Sequence, residues 1–261
     1  MTVTEASLVV TDLHVRFGDF VAVHEVSFDA HPGEVRFLIG PNGAGKTTCI
    51  DAITGLSRGT GSARLGDQEL LRKPAQKIVR LGVGRTFQTA SVFAELSVLQ
   101  NLDIAAGLHR SSLSLLRTRR AVDPSIERAL EETGLTAERD TPAGILSHGQ
   151  TQWLEIAMLL VQDAKVLLLD EPVAGMSQDE RRATGELLGR VAASRTVVVV
   201  EHDMDFMRSF ATRVTVLHQG RVLSEGSVAQ IQADPRVQEV YLGTAGAPPT
   251  GATAIIAEEA E

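Results

Sequence analysis

Apolar and polar positions change rhythm several times along this chain. From residue 7 to 37 they alternate, with Gly18-Asp19 and His31-Pro32-Gly33 as interruptions. That pattern predicts antiparallel strands joined by turns. Val35 to Ile39 is a solid apolar run that reads as a strand, residues 46–54 read as a helix, and 62–70 read as another strand and turn. From 89 to 150 the rhythm becomes helical, in patches broken by Gly107, Pro124, Gly134 and Pro142, which predicts an inserted helical subdomain. Residues 151–163 carry Trp153, Ile156, Ala157 and Leu160 at helical spacing. The runs 166–170 and 196–200 are apolar without a break, as expected of strands buried on both faces of a parallel sheet. Gln178 to Ala193 has a helical period between them. Val214 to Leu217 predicts a last strand, turning at Gln219-Gly220, with helix-prone segments following to Leu242. Residues 244–261 are small, rich in Pro and Gly and acidic at the end, and are expected to form a disordered tail. No internal repeat stands out.

Composition narrows the function. The chain has 261 residues, 43% of them hydrophobic, enough for one large α/β domain or two small ones. No apolar run approaches the roughly 18 residues of a membrane helix, and no secretory signal precedes Leu13. A cytoplasmic protein that does not itself cross a bilayer is expected. The net charge is −8, with one Trp and one Tyr. A nucleic-acid binder ordinarily shows a basic face and aromatic platforms, so nucleic acid is not expected as a partner. The single cysteine, Cys49, excludes an intrachain disulfide and a cysteine-rich metal site. It reads as a small buried residue, or alternatively as a thiol whose modification would block nucleotide entry.

The chemistry concentrates in Gly40-Pro41-Asn42-Gly43-Ala44-Gly45-Lys46-Thr47-Thr48. This fits the G-x-x-x-x-G-K-[ST] phosphate loop and lies between a strand and a helix, as that motif requires. Glycines let backbone N–H groups turn toward phosphate oxygens. The helix N-terminus adds partial positive charge, Lys46 adds a full one, and Thr47 offers a hydroxyl to Mg²⁺. Further along, the apolar strand 166–170 ends in Asp170 and Glu171. At such a strand end the first carboxylate holds the magnesium shell, and the second can orient and deprotonate an attacking water. Leu146-Ser147-His148-Gly149-Gln150 opens the Trp153 helix. Ser147 suits an N-cap, and the free N–H groups beside it either form a second anion site or belong to a plain cap. The strand 197–200 runs into Glu201-His202-Asp203, where His202 can donate to phosphate or be structural. Arg85-Thr86-Phe87-Gln88 closes the apolar stretch 82–87, and the Gln88 carbonyl can reach a metal-bound water.

Taken together, these motifs resemble the nucleotide-binding subunits of ABC transporters over about residues 7–243. The resemblance implies an α/β P-loop NTPase with a mixed central sheet, an N-terminal antiparallel β subdomain and an inserted helical subdomain. The catalytic core would span 7–88 and 151–243, and the helical subdomain about 89–150. The resemblance further implies ATP and Mg²⁺ as cofactors. Lys46 and the amides of residues 40–48 would bind the β- and γ-phosphates. Thr47, Asp170 and Gln88 would bind magnesium directly or through water. Glu171 looks like the general base, His202 like the switch histidine, and Phe17 like the ring that stacks on adenine, its alternative being a core Phe. In this family two subunits meet head to tail. Ser147, Gly149 and Gln150 would then belong to a signature segment, Ser147 and Gly149 contacting the γ-phosphate held by the partner. Two departures stand out. His148 occupies a position where the family usually has glycine, and Ala174-Gly175-Met176-Ser177 lacks the acidic residue common at that turn.

A finer resemblance points to the ATPases of branched-chain amino-acid-type uptake systems, a branch that includes a urea-uptake group. The run from Asp234 to Gly243 is similar to the ending of that branch. The stretches 87–93, 146–156 and 167–176 look most like the urea group. The implied function is the ATP-hydrolysing motor of an importer, with urea as the expected solute and branched-chain amino acids or amides as the alternative. The implied partners are membrane permease subunits, a second ATPase subunit (a sister chain or another copy) and, indirectly, an external solute-binding protein. The implied place is the inner face of the cytoplasmic membrane. Val92, Phe93 and Leu96 are candidates either for a groove receiving a permease helix or for the core. Rival readings are an ABC-type ATPase without a permease and a nucleic-acid ATPase. The single phosphate loop, the acidic charge and the absence of a long coiled coil stand against the latter.

Overall fold

The computed structural model describes residues 6–87, 91–109 and 122–242. Gln88 and the segment 244–261 lie outside the described residues. Among the described residues, ten strands fall into two sheets. In the first, β1 (Leu8–Phe17), β2 (Phe20–Ala30), β4 (Gly59–Leu65) and β5 (Gln68–Glu69) pair antiparallel in the order β2-β1-β4-β5. The alternation of residues 8–30 makes this sheet, because every second side chain turns inward.

The second sheet has the order β10-β9-β3-β8-β7-β6. Its members are β3 (Val35–Ile39), β6 (Val83–Arg85), β7 (Val166–Asp170), β8 (Thr196–Val200), β9 (Arg213–His218) and β10 (Arg221–Gly226). The strands β6, β7, β8, β3 and β9 run parallel, and only β10 is antiparallel to its neighbour. Both β7 and β8 are buried along their full length. Their side chains alternate between two cores. Leu167, Leu169, Val197 and Val199 face one side, and Leu168, Val198 and Val200 face the other. This is why the sequence there shows no alternation.

The first core lies under the helices α3 (Val98–Ala106), α4 (Pro124–Thr133), α5 (His148–Val161) and α6 (Gln178–Ala192). The second lies between the parallel sheet, α1 (Lys46–Ile53), α2 (Ala75–Arg80) and the antiparallel sheet. Shorter helices follow, α7 (Met204–Phe210), α8 (Val228–Ala233) and α9 (Pro235–Leu242). No helix among the described residues is long and apolar enough to cross a membrane.

Three details differ from the sequence reading. The run 35–39 leaves the antiparallel sheet that its neighbours form and pairs in parallel with β8 and β9. The segment after Gly220 begins as a strand, β10, because Arg221–Gly226 closes a hairpin on β9. The Trp153 helix starts at His148 with Ser147 as its cap, as expected of 146–150, and it therefore crosses the boundary drawn between the helical subdomain and the core at residue 150.

Candidate nucleotide site

Four parallel strands, β3, β8, β7 and β6, bring their C-terminal ends to one edge of the sheet. Ligands of open α/β sheets bind outside such an edge. At the end of β3 the chain turns through residues 40–45 into α1. Gly43 and Gly45 have φ of 79° and 98°, a backbone region that side chains rarely adopt. A Cβ on Gly45 would lie 2.7 Å from the Ala22 carbonyl oxygen, whereas Gly43 faces open space. Helix α1 has no side-chain cap. Its first N–H groups and partial positive charge are therefore directed at whatever sits in the loop.

Lys46 is buried. Its Nζ donates to the Gly40 and Pro41 carbonyl oxygens at 2.7 and 3.1 Å. Burial pushes its pKa down, and the carboxylates of Glu171, Asp170 and Glu201 oppose that shift. Thr47 is exposed at the start of α1 and Thr48 is half-buried.

Asp170 ends β7 and is nearly fully buried. Arg85, at the end of β6, reaches its Oδ2 at 3.3 Å and also pairs with Asp51. Burial raises the Asp170 pKa despite the Arg85 charge. Its Oδ1 is buried without a hydrogen-bond partner. A cation bound there would satisfy it, so the donor set fits magnesium, which favours carboxylate and hydroxyl oxygens.

Glu171 follows directly with a backbone φ of 52°. A non-glycine residue in that region stores strain and is concentrated at functional sites. Its Oε1 stands 3.3 Å from His202 Nδ1 across the β7–β8 gap. Glu201, between β8 and His202, is 1% exposed. Its Oε2 accepts from the His202 and Asp203 amides at 3.0 and 3.2 Å, and its Oε1 from the Val173 amide at 3.4 Å. Burial raises the Glu201 pKa. One buried carboxylate thus ties the loop after β7 to the loop after β8. Neither Glu201 nor Arg85 was singled out from sequence.

Phe17 is 54% exposed and Phe20 67% exposed, at the two sides of the β1–β2 turn. The core alternative for Phe17 is excluded, and a second exposed ring accompanies it. Residues 22 and 23 of β2 lie against Gly45 and Gly220, so this hairpin borders the phosphate loop. Cys49 is fully buried and its thiol is pushed up to about 12 by burial. It is a packing residue, and the modification reading fails.

The segment 146–150 forms a separate cluster. Ser147 caps α5 and its hydroxyl accepts from the Gln150 amide at 3.2 Å. Gln150 Oε1 accepts from the Ser147 amide, and its Nε2 donates to Glu138 at 3.0 Å. The Ser147 hydroxyl donates to Glu180 Oε1 at 3.0 Å. The His148 ring lies over Gly175, whose φ is 74°. Among the hydrogen bonds and ion pairs of the described residues, none joins Ser147, Gly149 or Gln150 to Lys46, Asp170 or Glu171. The structure therefore assembles Lys46, Asp170, Glu171 and His202 at one edge and leaves the signature residues apart from them.

One other cluster was tested for metal binding. His14, His24 and Glu25 bring ligand atoms within 4.8 Å of one another. Arg221 already bonds His24 Nε2 at 3.0 Å and Glu25 Oε2 at 3.2 Å. A guanidinium supplies the positive charge at that point.

Comparison with known proteins agrees with this geometry. The family described as "ABC transporter" matches residues 23–174. The family described as "Branched-chain amino acid ATP-binding cassette transporter" matches residues 221–247. The high-affinity branched-chain amino acid transport ATP-binding protein LivG of Escherichia coli (strain K12) is 38% identical, covering 91% of this chain and 98% of that protein. BraF of Pseudomonas aeruginosa, of the same description, is 37% identical with the same coverage. A solved nucleotide-free ATP-binding cassette from an ABC transporter superposes with a TM-score of 0.77 at 28% identity, over 90% of this chain and 98% of that one. A solved ADP conformation of an ATP-binding cassette of an ABC transporter gives 0.78 at 29% identity, over 90% and 98%. The chain therefore belongs to the ATP-binding subunits of ABC transporters, in the branch of the branched-chain amino-acid systems.

Proposed function

We propose that this ABC ATPase powers an uptake transporter for branched-chain amino acids or closely related small solutes. The observation that carries the ATPase part is the meeting of Lys46, Asp170, Glu171 and His202 at the C-terminal ends of β3, β7 and β8. The branched-chain solute rests on the 38% identity to a branched-chain amino acid transport protein and on the matching C-terminal segment. Urea, expected from sequence, has no such support, and the alternative solute takes its place.

In this reading the loop amides of residues 40–48 and Lys46 hold the phosphates of ATP, and Phe17 stacks on the base. Thr47 and Asp170, with Gln88, hold Mg²⁺, which when bound offsets the charge developing on the phosphoryl oxygens. Glu171 orients the attacking water and accepts its proton, and His202 holds the Glu171 carboxylate and donates toward the phosphate. Ser147 and Gly149 complete the γ-phosphate shell from a second subunit packed head to tail. Loss of that phosphoryl group removes the charge both subunits share, and the pair opens.

A cavity of about 270 Å³ lies beside this machinery, with Leu56, Ile78, Phe87, Ser91, Glu155 and Met158 in its wall. We assign it to a permease helix. The Ser91 amide donates to Glu155 at 2.7 Å, so Ser91 is tied to this wall and can pass motion to it. Phe93 is 53% exposed nearby, while Val92 packs on the core. The chain would work at the inner face of the membrane, served by an external binding protein.

The test is to co-purify the chain with its membrane partners, reconstitute the complex with its binding protein and measure ATP turnover. Stimulation by leucine, isoleucine or valine and not by urea supports the reading. Stimulation by urea alone overturns the solute, and a failure to recover any permease overturns the coupling.

A further inference from the structure

Four helices begin with a serine whose side chain and third residue form a reciprocal cap. Three of them, at Ser97, Ser147 and Ser227, use glutamine as that third residue. The fourth, at Ser177 on α6, uses Glu180. A neutral amide meets the cap at three of the helices, and at the fourth the cap residue also carries a charge.

Its surroundings show where that charge goes. Glu180 Oε2 accepts from the Ser177 amide and hydroxyl, both at 2.9 Å. Its Oε1 turns away from the cap and accepts from the Ser147 hydroxyl at 3.0 Å. A Cβ on Gly149 would meet Oε1 at 2.6 Å, so the carboxylate lies flat on the glycine. The donors from Ser177 and Ser147 hold its carboxyl below the usual carboxylate range. A carboxylate therefore occupies the very hydroxyl, and lies against the very glycine, that are assigned above to the partner-held γ-phosphate.

We infer that Glu180 is a positioning residue that stands in for the γ-phosphate in the separate protomer. It keeps the Ser147 hydroxyl aimed and covers Gly149, and it must swing out when the partner's nucleotide arrives. The inference rests on the head-to-tail reading of the proposed function. A carboxylate and a phosphate cannot share these donors, because both are acceptors and both are negative. Displacing Glu180 breaks the charge-assisted bond at Ser147 and clears the carboxylate from Gly149, contacts that ATP-driven pairing must replace. The bonds to Ser177 stay available, because they belong to α6 itself. The pairing threshold is thereby raised, and protomers holding ADP, which lacks the displacing phosphoryl group, remain apart.

The test uses the full-length chain carrying Glu171→Gln, so that bound ATP is not consumed. Sedimentation velocity at increasing ATP gives the concentration for half-maximal pairing. Adding Glu180→Gln keeps the cap and removes the competing charge. The half-maximal ATP concentration is expected to fall about fivefold, equivalent to one net hydrogen bond. ATP affinity of the dilute protomer and its Tm should stay unchanged. Glu180→Ala, which also empties the cradle, should shift pairing in the same direction even if its Tm falls through loss of the cap. An unchanged or raised ATP requirement in Glu180→Gln overturns the inference. Ser147→Arg in the same background separates the two claims. If it blocks pairing while Glu180→Gln shifts nothing, only the role of Glu180 fails. If Ser147→Arg pairs normally, or the parent never pairs with ATP, the head-to-tail reading for two copies of this chain fails and this inference with it.

Discussion

His202 Nδ1 lies 3.3 Å from Glu171 Oε1, and each residue stands at the end of its own parallel strand. Two adjacent strand ends thus bring together residues that α6 separates in sequence, and Glu171 has a φ of 52° in doing so. The pairing orients one carboxylate oxygen. Glu171→Gln keeps the shape and removes the proton acceptor. Steady-state ATP turnover should fall at least about a hundredfold, the scale of a lost general base, while ATP binding by fluorescence titration stays intact. His202→Ala should cost less, because the carboxylate remains. Wild-type turnover in Glu171→Gln would remove Glu171 from the role of base.

Glu201 is a structural clamp. It is 1% exposed and accepts three backbone N–H bonds from the two loops that carry Glu171 and His202. Glu201→Ala leaves those donors unpaired, so a loss of about 2–4 kcal/mol is expected. Urea unfolding measures it. A change under about 0.5 kcal/mol, the range of an ordinary surface substitution, would show that the clamp is not formed.

Base stacking is assigned to Phe17, although Phe20 is the more exposed ring. Phe17→Ala should weaken ATP binding about tenfold, near the lower end of base–aromatic stacking, with Phe20→Ala having little effect. GTP and ATP titrations on both variants check this. Equal weakening by both substitutions would mean that the two rings share the base.

The acid limb of stability should trace to Asp29. Burial pushes its pKa up, but His31 and Arg36 more than offset this, and the carboxyl ends below its ordinary 3.8. Asp29 Oδ2 meets His31 Nε2 at 2.5 Å, and Oδ1 meets the fully buried Arg36 at 3.5 Å. A carboxyl held low in the fold lends stability that is complete above the unfolded value. That stability is lost as pH falls through the folded value. Asp29→Asn should therefore lower the urea midpoint at neutral pH and flatten its decline below about pH 4, where the wild-type carboxylate takes up its proton. An unchanged acid limb would assign the decline to other carboxylates.

The phosphate loop, both central strands and the Asp170-Glu171 pair were legible because each is written in consecutive residues. What was missed depends on residues distant in sequence. Arg85 joins Asp51 and Asp170, Glu201 joins Val173, and Glu180 joins Ser147. No local period announces such pairs. The strand β10 lies in a segment that reads as helix-prone. Four of its six residues are half-buried, so no clean in–out alternation marks it, and its partner β9 decides its conformation. The register of 35–39 was ambiguous for the opposite reason, since its continuous burial fits any central strand and does not say which sheet it joins.

The central claim is that ATP is shared by two protomers, and a crystal structure of Glu171→Gln with ATP and Mg²⁺ tests it most directly. The account predicts that Ser147 and Gly149 of one protomer lie within hydrogen-bond distance of the γ-phosphate bound at Lys46 of the other. It also predicts that Glu180 has left both of them. ATP bound at Lys46 with Ser147 and Gly149 of every neighbouring protomer remote from the γ-phosphate would contradict it.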